Sequence, residues 1–398
     1  MVPTPPASTS ANWRVRLFGL GSPDHDGWRR SSAVEHTTHN RVVPGSNPGA
    51  ATNHEMNPTL ADRVLRLARP RLLRELTRAW APPSGSRILV AVSGGGDSIA
   101  LLHLLAALSR GRHWDLVVGT IDHRLRGDQG AEDCRFVREA AAEWNVPVKC
   151  ARLDLSVREG RSVEAPARRA RRAALRRMAA ECRAETIALA HTENDQAETL
   201  LDRLGRGAGM AGLGAMARHR DGLWRPLLST RRRVLRNLLH DADLSWRDDP
   251  TNLERTALRN RIRHDLLPVV EEILGERAIT SLARAAAVSA DDETLLSDES
   301  RNAARKIVSR PEERCVLLER KPLLGLPPSL IRRILRDAFA GLADHGTSLN
   351  AKHLEALESL LRADGPGTHL DLPSRISASR RGSRLRLTRS TTSPSESG

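Results

Sequence analysis

Tyrosine is absent from this 398-residue chain, and phenylalanine occurs only three times. Any task that needs a flat ring, such as stacking on a nucleobase, falls to tryptophan, phenylalanine, histidine or arginine planes. Cysteine is also scarce. Cys134, Cys150, Cys182 and Cys315 are widely spaced with no C-x-x-C pair. That pattern fits a reduced, cytoplasmic protein with neither a zinc ribbon nor a paired redox thiol. Lysine is confined to positions 149, 306, 321 and 352. No apolar run approaches the roughly 20 residues of a membrane helix, and no apolar signal segment opens the chain, so a membrane is not an expected partner. Positive charge is what the sequence has in excess. Lys+Arg number 63 against 48 Asp+Glu, a net +15, which points to an anionic partner.

Residues 1–55 differ from the rest. They are rich in Pro, Ser, Thr, Asn and Gly, without helical or strand periodicity, and carry five Arg against two Asp and two Glu. Ser31–His36 back-translates to AGC TCA GCG GTA GAG CAC, like a tRNA D-arm. Val42–Gly49 back-translates to GTG GTT CCC GGT TCG AAT CCC GGC, like a T-arm. The expectation is a leader read from a neighbouring tRNA gene, with Met56 as the better start; a disordered arm is the plainer alternative.

From residue 84 onward apolar strands alternate with helical patterns. Strands are expected at Ile88–Val92, Leu116–Asp122, Val148–Leu153 and Thr186–Ala190. Helices are expected near Ile99–Leu108, Ala131–Trp144 and Val163–Cys182. The fold class is therefore α/β, a doubly wound parallel sheet with its ligand at the carboxyl ends of the strands. The first strand runs into Ser93-Gly-Gly-Gly-Asp-Ser98 and then a helix. Gly94, Gly95 and Gly96 let backbone N–H groups converge on an anion, and the helix N-terminus favours negative charge there. Ser93 and Ser98 add hydroxyl donors, and Asp97 offers a carboxylate for Mg²⁺. No Gly-Lys-Ser/Thr follows, which excludes the Walker loop. The second strand ends at Asp122-His-Arg-Leu-Arg126, and the fourth leads into His191-Thr-Glu-Asn-Asp-Gln-Ala-Glu-Thr199. Asp195 and Glu198 have capping-box spacing, a structural reading that leaves His191 unexplained.

The loop at Ser93–Ser98 resembles the SGGxDS pyrophosphate loop (PP-loop) of the ATP-pyrophosphatase superfamily, which has an adenine nucleotide alpha hydrolase-like fold. Together with IDHRLR, HTENDQAET, RGAGMAGLGAM, RPLL at 225–228, DPTN at 249–252 and RNRIR at 259–263, it is similar to the tRNA(Ile)-lysidine synthase family. The similarity covers roughly residues 88–389.

The resemblance implies an enzyme that uses ATP and Mg²⁺ to adenylate the wobble cytidine of the CAU-anticodon isoleucine tRNA. Free L-lysine then displaces AMP. It implies ATP contacts from Ser93, Gly94, Gly95, Gly96, Asp97, Ser98 and Asp122, with Asp97 also on the metal. His191 and Asp195 are expected, with Asp97, to be catalytic, orienting lysine and handling protons. Arg126, Arg168, Arg206, Arg259, Asn260 and Arg263 are expected on the tRNA or substrate. Asn194 departs from the family's usual pair of acids, and Ala173 and Leu258 stand where an aromatic ring is common. A tRNA 2-thiolation enzyme of the same superfamily and a non-catalytic RNA-binding protein are the rival readings.

The expected organisation is a leader (1–55), an N-terminal helix and linker (56–83), the PP-loop domain (84–232) and a helical tRNA-contacting region (233–310). A helical plus β-hairpin C-terminal domain (311–389) and a Ser/Thr tail (390–398) follow. A second copy of the chain, in a homodimer, is a further expected partner.

Overall fold

The computed structural model describes residues 15–17, 58–78, 81–122, 129–153, 164–248, 258–344, 346–363 and 369–390. The expectations for Arg126 and the DPTN segment at 249–252 lie outside the described residues, as does most of the leader. These residues fall into two compact units, 1–287 and 288–398.

In the first unit the chain runs β1 (Val15–Leu17), α1 (Pro58–Leu67), α2 (Pro70–Thr77), β2 (Arg87–Ala91), α3 (Gly96–Arg112), β3 (Asp115–Asp122) and α4 (Gln129–Ala142). It continues through β4 (Val148–Leu153), α5 (Glu164–Glu181), β5 (Thr186–Ala188), α6 (Glu193–Gly205), α7 (Met210–Leu213), β6 (His219–Arg220), β7 (Leu223–Trp224) and α8 (Arg232–Asp241). Next come α9 (Leu258–Arg261), a π-helical turn at Ile262–Leu266, α10 (Leu267–Leu274) and α11 (Ala278–Ile307), whose residues from 288 onward belong to the second unit.

The sheet order is β1-β4-β3-β2-β5-β7-β6. The five inner strands are parallel, and β1 and β6 pair antiparallel at the two edges. Strand β1 comes from the leader, where Val15-Arg-Leu17 is too short a run to register as a strand pattern. The inner strands are apolar because helices cover both faces. Ile88, Val90, Leu116 and Val118 pack with α1, α3, α4 and α8, whereas Leu89, Val117, Ala151 and Leu153 pack with Ala174, Leu175 and Met178 of α5. That alternation along β2 is the doubly wound arrangement expected from the sequence. Strand β5 stops at Ala188, two residues early, because the chain then turns into the loop that caps α6.

The chain goes from β2 outward through β3 to β4, then returns to place β5 on the other side of β2. The loops after β2 and β5 therefore diverge, leaving a crevice between them at the switch point, where ligands of such sheets bind. Those two loops carry Ser93–Ser98 and His191–Asp195.

One buried polar contact in this core makes stability depend on pH. His103, 2% exposed, accepts a 2.8 Å hydrogen bond at Nδ1 from Trp144 Nε1. Burial, with some help from Arg63, lowers its pKa to about 4. Between pH 6.5 and 4 the unfolded chain binds this proton and the folded one does not, so stability is full above that window and falls as pH drops through it. A loss of about 2 kcal/mol from this residue between pH 7 and pH 5 is expected. Denaturant melts at the two pH values check it, with His103→Gln expected to narrow the gap.

The second unit holds β8 (Val308–Glu312), β9 (Cys315–Glu319), α12 (Arg320–Leu324), α13 (Pro328–Ala340), α14 (Ala351–Arg362), β10 (His369–Leu372), β11 (Ile376–Arg381) and β12 (Arg384–Arg389). Its antiparallel sheet has the order β10-β11-β12-β9-β8. Val316, Leu318, Ile376, Ala378, Leu385 and Leu387 form the inner face, packed with Ile334, Leu335 and Phe339 of α13 and Leu357 and Leu361 of α14. The hairpin expected in this domain is a three-stranded meander, in which β10 and β12 do not pair because β11 lies between them. Its sequence, Ile-Ser-Ala-Ser-Arg-Arg, offers only Ile376 and Ala378 as apolar inward residues. No helix among the described residues is long and apolar enough to cross a membrane.

Candidate active site

The loop after β2 is shaped by glycine and held by serine. Gly94 has φ +88°, a conformation that costs a side-chain-bearing residue about 1–2 kcal/mol. A Cβ on Gly96 would lie 3.3 Å from the Trp246 ring, so that indole rests directly against the loop. Ser98 Oγ accepts from the Ser93 N–H at 3.1 Å and donates to the Gly95 carbonyl at 2.8 Å. The two serines, expected as phosphate donors, brace the loop in this structure. Gly94 O accepts from the Arg247 N–H at 3.0 Å.

The loop after β5 is a capping box three residues before the expected one. Thr192 is the N-cap and Asp195 is N3. Asp195 Oδ2 accepts from the Thr192 N–H at 2.8 Å and from its hydroxyl at 2.7 Å. Glu198 takes no part in the cap. It lies one turn further on, with its side chain 0% exposed, and Asp195 Oδ1 faces the same side.

Three arginines converge on these acids. Arg232 donates through Nε to Asp97 Oδ2 at 2.8 Å, and its other nitrogens reach Asp195 Oδ1 at 3.1 Å and Glu198 Oε1 at 3.5 Å. Arg259 reaches Asp195 Oδ1 at 2.8 Å and Glu198 Oε2 at 2.9 Å. Arg263 reaches Glu198 Oε1 at 2.7 Å and Asp195 Oδ1 at 3.3 Å. Three carboxylates thus face three guanidinium groups. Arg259 precedes the π-helical turn and Arg263 lies within it; such turns re-space side chains on a helix face and recur at functional sites.

Burial and charge separate the titrations. Burial would raise Asp195, but Arg232 and Arg259 reverse that and hold it well below the ordinary carboxylate range. Asp97 has Arg232 as its main counter-ion, and burial carries its pKa upward. Its Oδ1 is buried with no hydrogen-bond partner. His191 has its pKa lowered to about 4 by burial, which with Arg225, Arg259 and Arg168 outweighs the pull of Asp195. It is therefore a neutral imidazole near pH 7, and its Nδ1 is buried without a partner.

A PP-loop domain model matches residues 68–270, just over half of the chain, and a TilS substrate binding domain model matches residues 318–386. The tRNA(Ile)-lysidine synthase of Thermobifida fusca is 35% identical over 78% of this chain and 92% of its own length. The chain belongs to the tRNA(Ile)-lysidine synthase family. The synthase of Streptomyces coelicolor is 35% identical over 77% of this chain and 87% of its own. That of Geobacter sulfurreducens is 40% identical over 74% of this chain, which spans 64% of that relative's length.

For this lysidine synthase family member, the structure brings together Asp97, Asp195, Arg259 and Arg263 of the expected residues, with His191 close enough to feel the Asp195 charge. Asp122 is buried at the end of β3, 3.7 Å from Arg152. Asn260 is half-buried on α9, and Arg168 is exposed on α5. Arg206 is exposed and pairs with Asp202 at 2.8 Å, apart from the cluster.

Sequence reasoning missed Arg232, Trp246 and the site role of Glu198. A signal for Arg232 was present. Arg231-Arg232-Arg233 begins α8, where the helix dipole disfavours cations unless acids meet them. Acids do meet all three, Arg231 with Glu271 and Arg233 with Glu276.

The Asn194 departure has a structural explanation. Its Oδ1 accepts from the Arg232 backbone N–H at 3.0 Å, an oxygen's task that aspartate and asparagine perform alike. Asn194→Asp is expected to leave stability unchanged, whereas Asn194→Ala, which strands that N–H, is expected to cost about 1 kcal/mol in a denaturant melt.

Proposed function

We propose that this chain ligates free L-lysine to C2 of the wobble cytidine of the CAU-anticodon isoleucine tRNA through an ATP-derived adenylated intermediate. Lysidine, AMP and pyrophosphate are the products. The observation that carries the reading is the meeting, at one switch point, of a glycine loop suited to pyrophosphate with two buried acids suited to an ammonium group.

The cytosine C2 oxygen is a poor leaving group until it is joined to AMP. The N–H groups of Gly94–Gly96 and the N-terminus of α3 hold the phosphates and stabilise charge on the departing pyrophosphate. Magnesium is expected beside Asp97. The unpartnered Oδ1 fits a cation held by one carboxylate and substrate phosphates, and no cluster of three or more acid, His or Cys ligands exists among the described residues to hold it alone. When bound, it supplies charge neutralisation at the phosphate oxygens.

Asp195 and Glu198 attract and orient the lysine ammonium. Asp195 stays ionised under its arginines and is a poor proton acceptor. The proton lysine must lose goes to His191, which is neutral and has a vacant ring nitrogen. Burial, and then the nearby arginines, keep that imidazole weakly basic, and phosphate charge entering the crevice offsets the arginines and raises its basicity.

Two features support tRNA as the polyanion, the net +15 and the match of residues 318–386 to the TilS substrate binding domain. The test uses the full chain with ATP, Mg²⁺, radiolabelled lysine and the CAU-anticodon transcript. Label on the wobble cytidine that requires ATP is the expected result. Pyrophosphate release without lysine incorporation would overturn the assignment of the nucleophile.

A further inference from the structure

We infer that Cys134 and Cys150 form a reversible dithiol–disulfide site, a modification site where α4 meets β4. Their spacing in sequence matches no redox motif, and the sequence reading excluded a paired thiol. The fold reverses that expectation. Strand β3, helix α4 and strand β4 form a βαβ crossover, and α4 packs back on the sheet so that Cys134 on the helix meets Cys150 on the strand. Their sulfurs lie 2.8 Å apart, and both are free thiols. Closing the bond, about 2.05 Å long, needs a movement of about 0.8 Å.

The two thiols are not equivalent, and the difference gives each a part. Cys150 is half-buried and Cys134 is 4% exposed, so an oxidant from solvent reaches Cys150 first. The hydrogen bond between the two sulfurs, with Arg138 and Arg152, lowers the Cys150 pKa to about 7 despite burial and the charge of Asp122. Cys134 moves upward, through that same hydrogen bond and burial. A half-ionised, reachable thiol beside an enclosed protonated one is the arrangement of an attacking and a resolving cysteine.

The reaction balances with a small disulfide as oxidant. The Cys150 thiolate attacks one sulfur of the reagent and expels the other half as a thiol. The Cys134 sulfur then attacks Sγ of Cys150 in the mixed disulfide, giving up its proton and expelling the second thiol. Two electrons and two protons pass to the reagent. The product ties α4 to β4 beside Asp122 and replaces two ionisable thiols with a neutral bridge. Reducing conditions keep the pair open. The other two cysteines have no such neighbour: Cys182 donates to the Ala179 carbonyl, and Cys315 is buried in the second unit.

The test treats the folded full chain with oxidised glutathione, blocks remaining thiols with N-ethylmaleimide under denaturing conditions, and maps peptides by mass. Two of the four thiols are expected to be lost, with one linked peptide joining Cys134 to Cys150 and full recovery with dithiothreitol. In Cys134→Ser, glutathione is expected to accumulate on Cys150, because nothing resolves it. Four blocked thiols after oxidation, a bond involving Cys182 or Cys315, or glutathione persisting on Cys150 of the unmutated chain would each overturn the site. None of these readouts depends on catalytic activity.

Discussion

The Asp97→Ala protein is expected to bind tRNA normally and to release pyrophosphate about 10³-fold more slowly, the scale on which losing one transition-state electrostatic contact acts. Asp97 opens α3 at the mouth of the glycine loop and keeps one carboxylate oxygen unpartnered while Arg232 holds the other. No other acid lies on that loop to replace it. Affinity for tRNA rests on phosphate contacts spread over a basic surface and does not pass through this carboxylate. ATP–pyrophosphate exchange and filter binding with the same tRNA separate the two effects. Exchange at the unmutated rate would remove Asp97 from the mechanism.

Glu198→Gln is expected to divide the reaction at its midpoint. The amide keeps the shape of the side chain but removes charge from a position where Arg232, Arg259 and Arg263 all converge. Pyrophosphate release should persist, because Asp97 and the loop are untouched. Lysine transfer should fall, with a raised KM for lysine, because the ammonium loses one of its two anions. Breaking one side of a buried charge cluster typically costs about 3–5 kcal/mol, so folding is to be checked by a melt before the rates are compared. Equal loss of both half-reactions in a folded variant would argue that Glu198 only holds the arginines in place.

The core could be read from the chain because its signals are local. The Ile88–Val92 run, three glycines and the apolar pattern after Ser98 lie within about twenty residues, and each fixes its own conformation. Asp97, Asp195, Arg259 and Arg263 were legible as motif positions, through resemblance more than through spacing. Arg232 was not, because its partners lie 135 residues away at Asp97 and 34 away at Glu198. The capping box was misplaced by three residues because Thr192, Asp195 and Glu198 offer two overlapping frames, and the reciprocal hydrogen bonds of Thr192 and Asp195 decide between them. Cys134 and Cys150 escaped for a related reason: a crossover connection joins residues that no linear motif links. In the second unit β11 was hidden because serine and arginine occupy its outward positions and alanine one of its inward ones.

The matched count of carboxylates and guanidinium groups has a kinetic meaning on the proposed reading. An empty crevice of this kind is electrically quiet, with little attraction for an amino acid that carries its own positive side chain. Incoming triphosphate competes for Arg232, and each step of that exchange uncovers negative charge at Asp195 and Glu198. Nucleotide and lysine then enter in sequence, the first creating the field that recruits the second. The amine is thereby kept away until there is an activated carbon for it to attack.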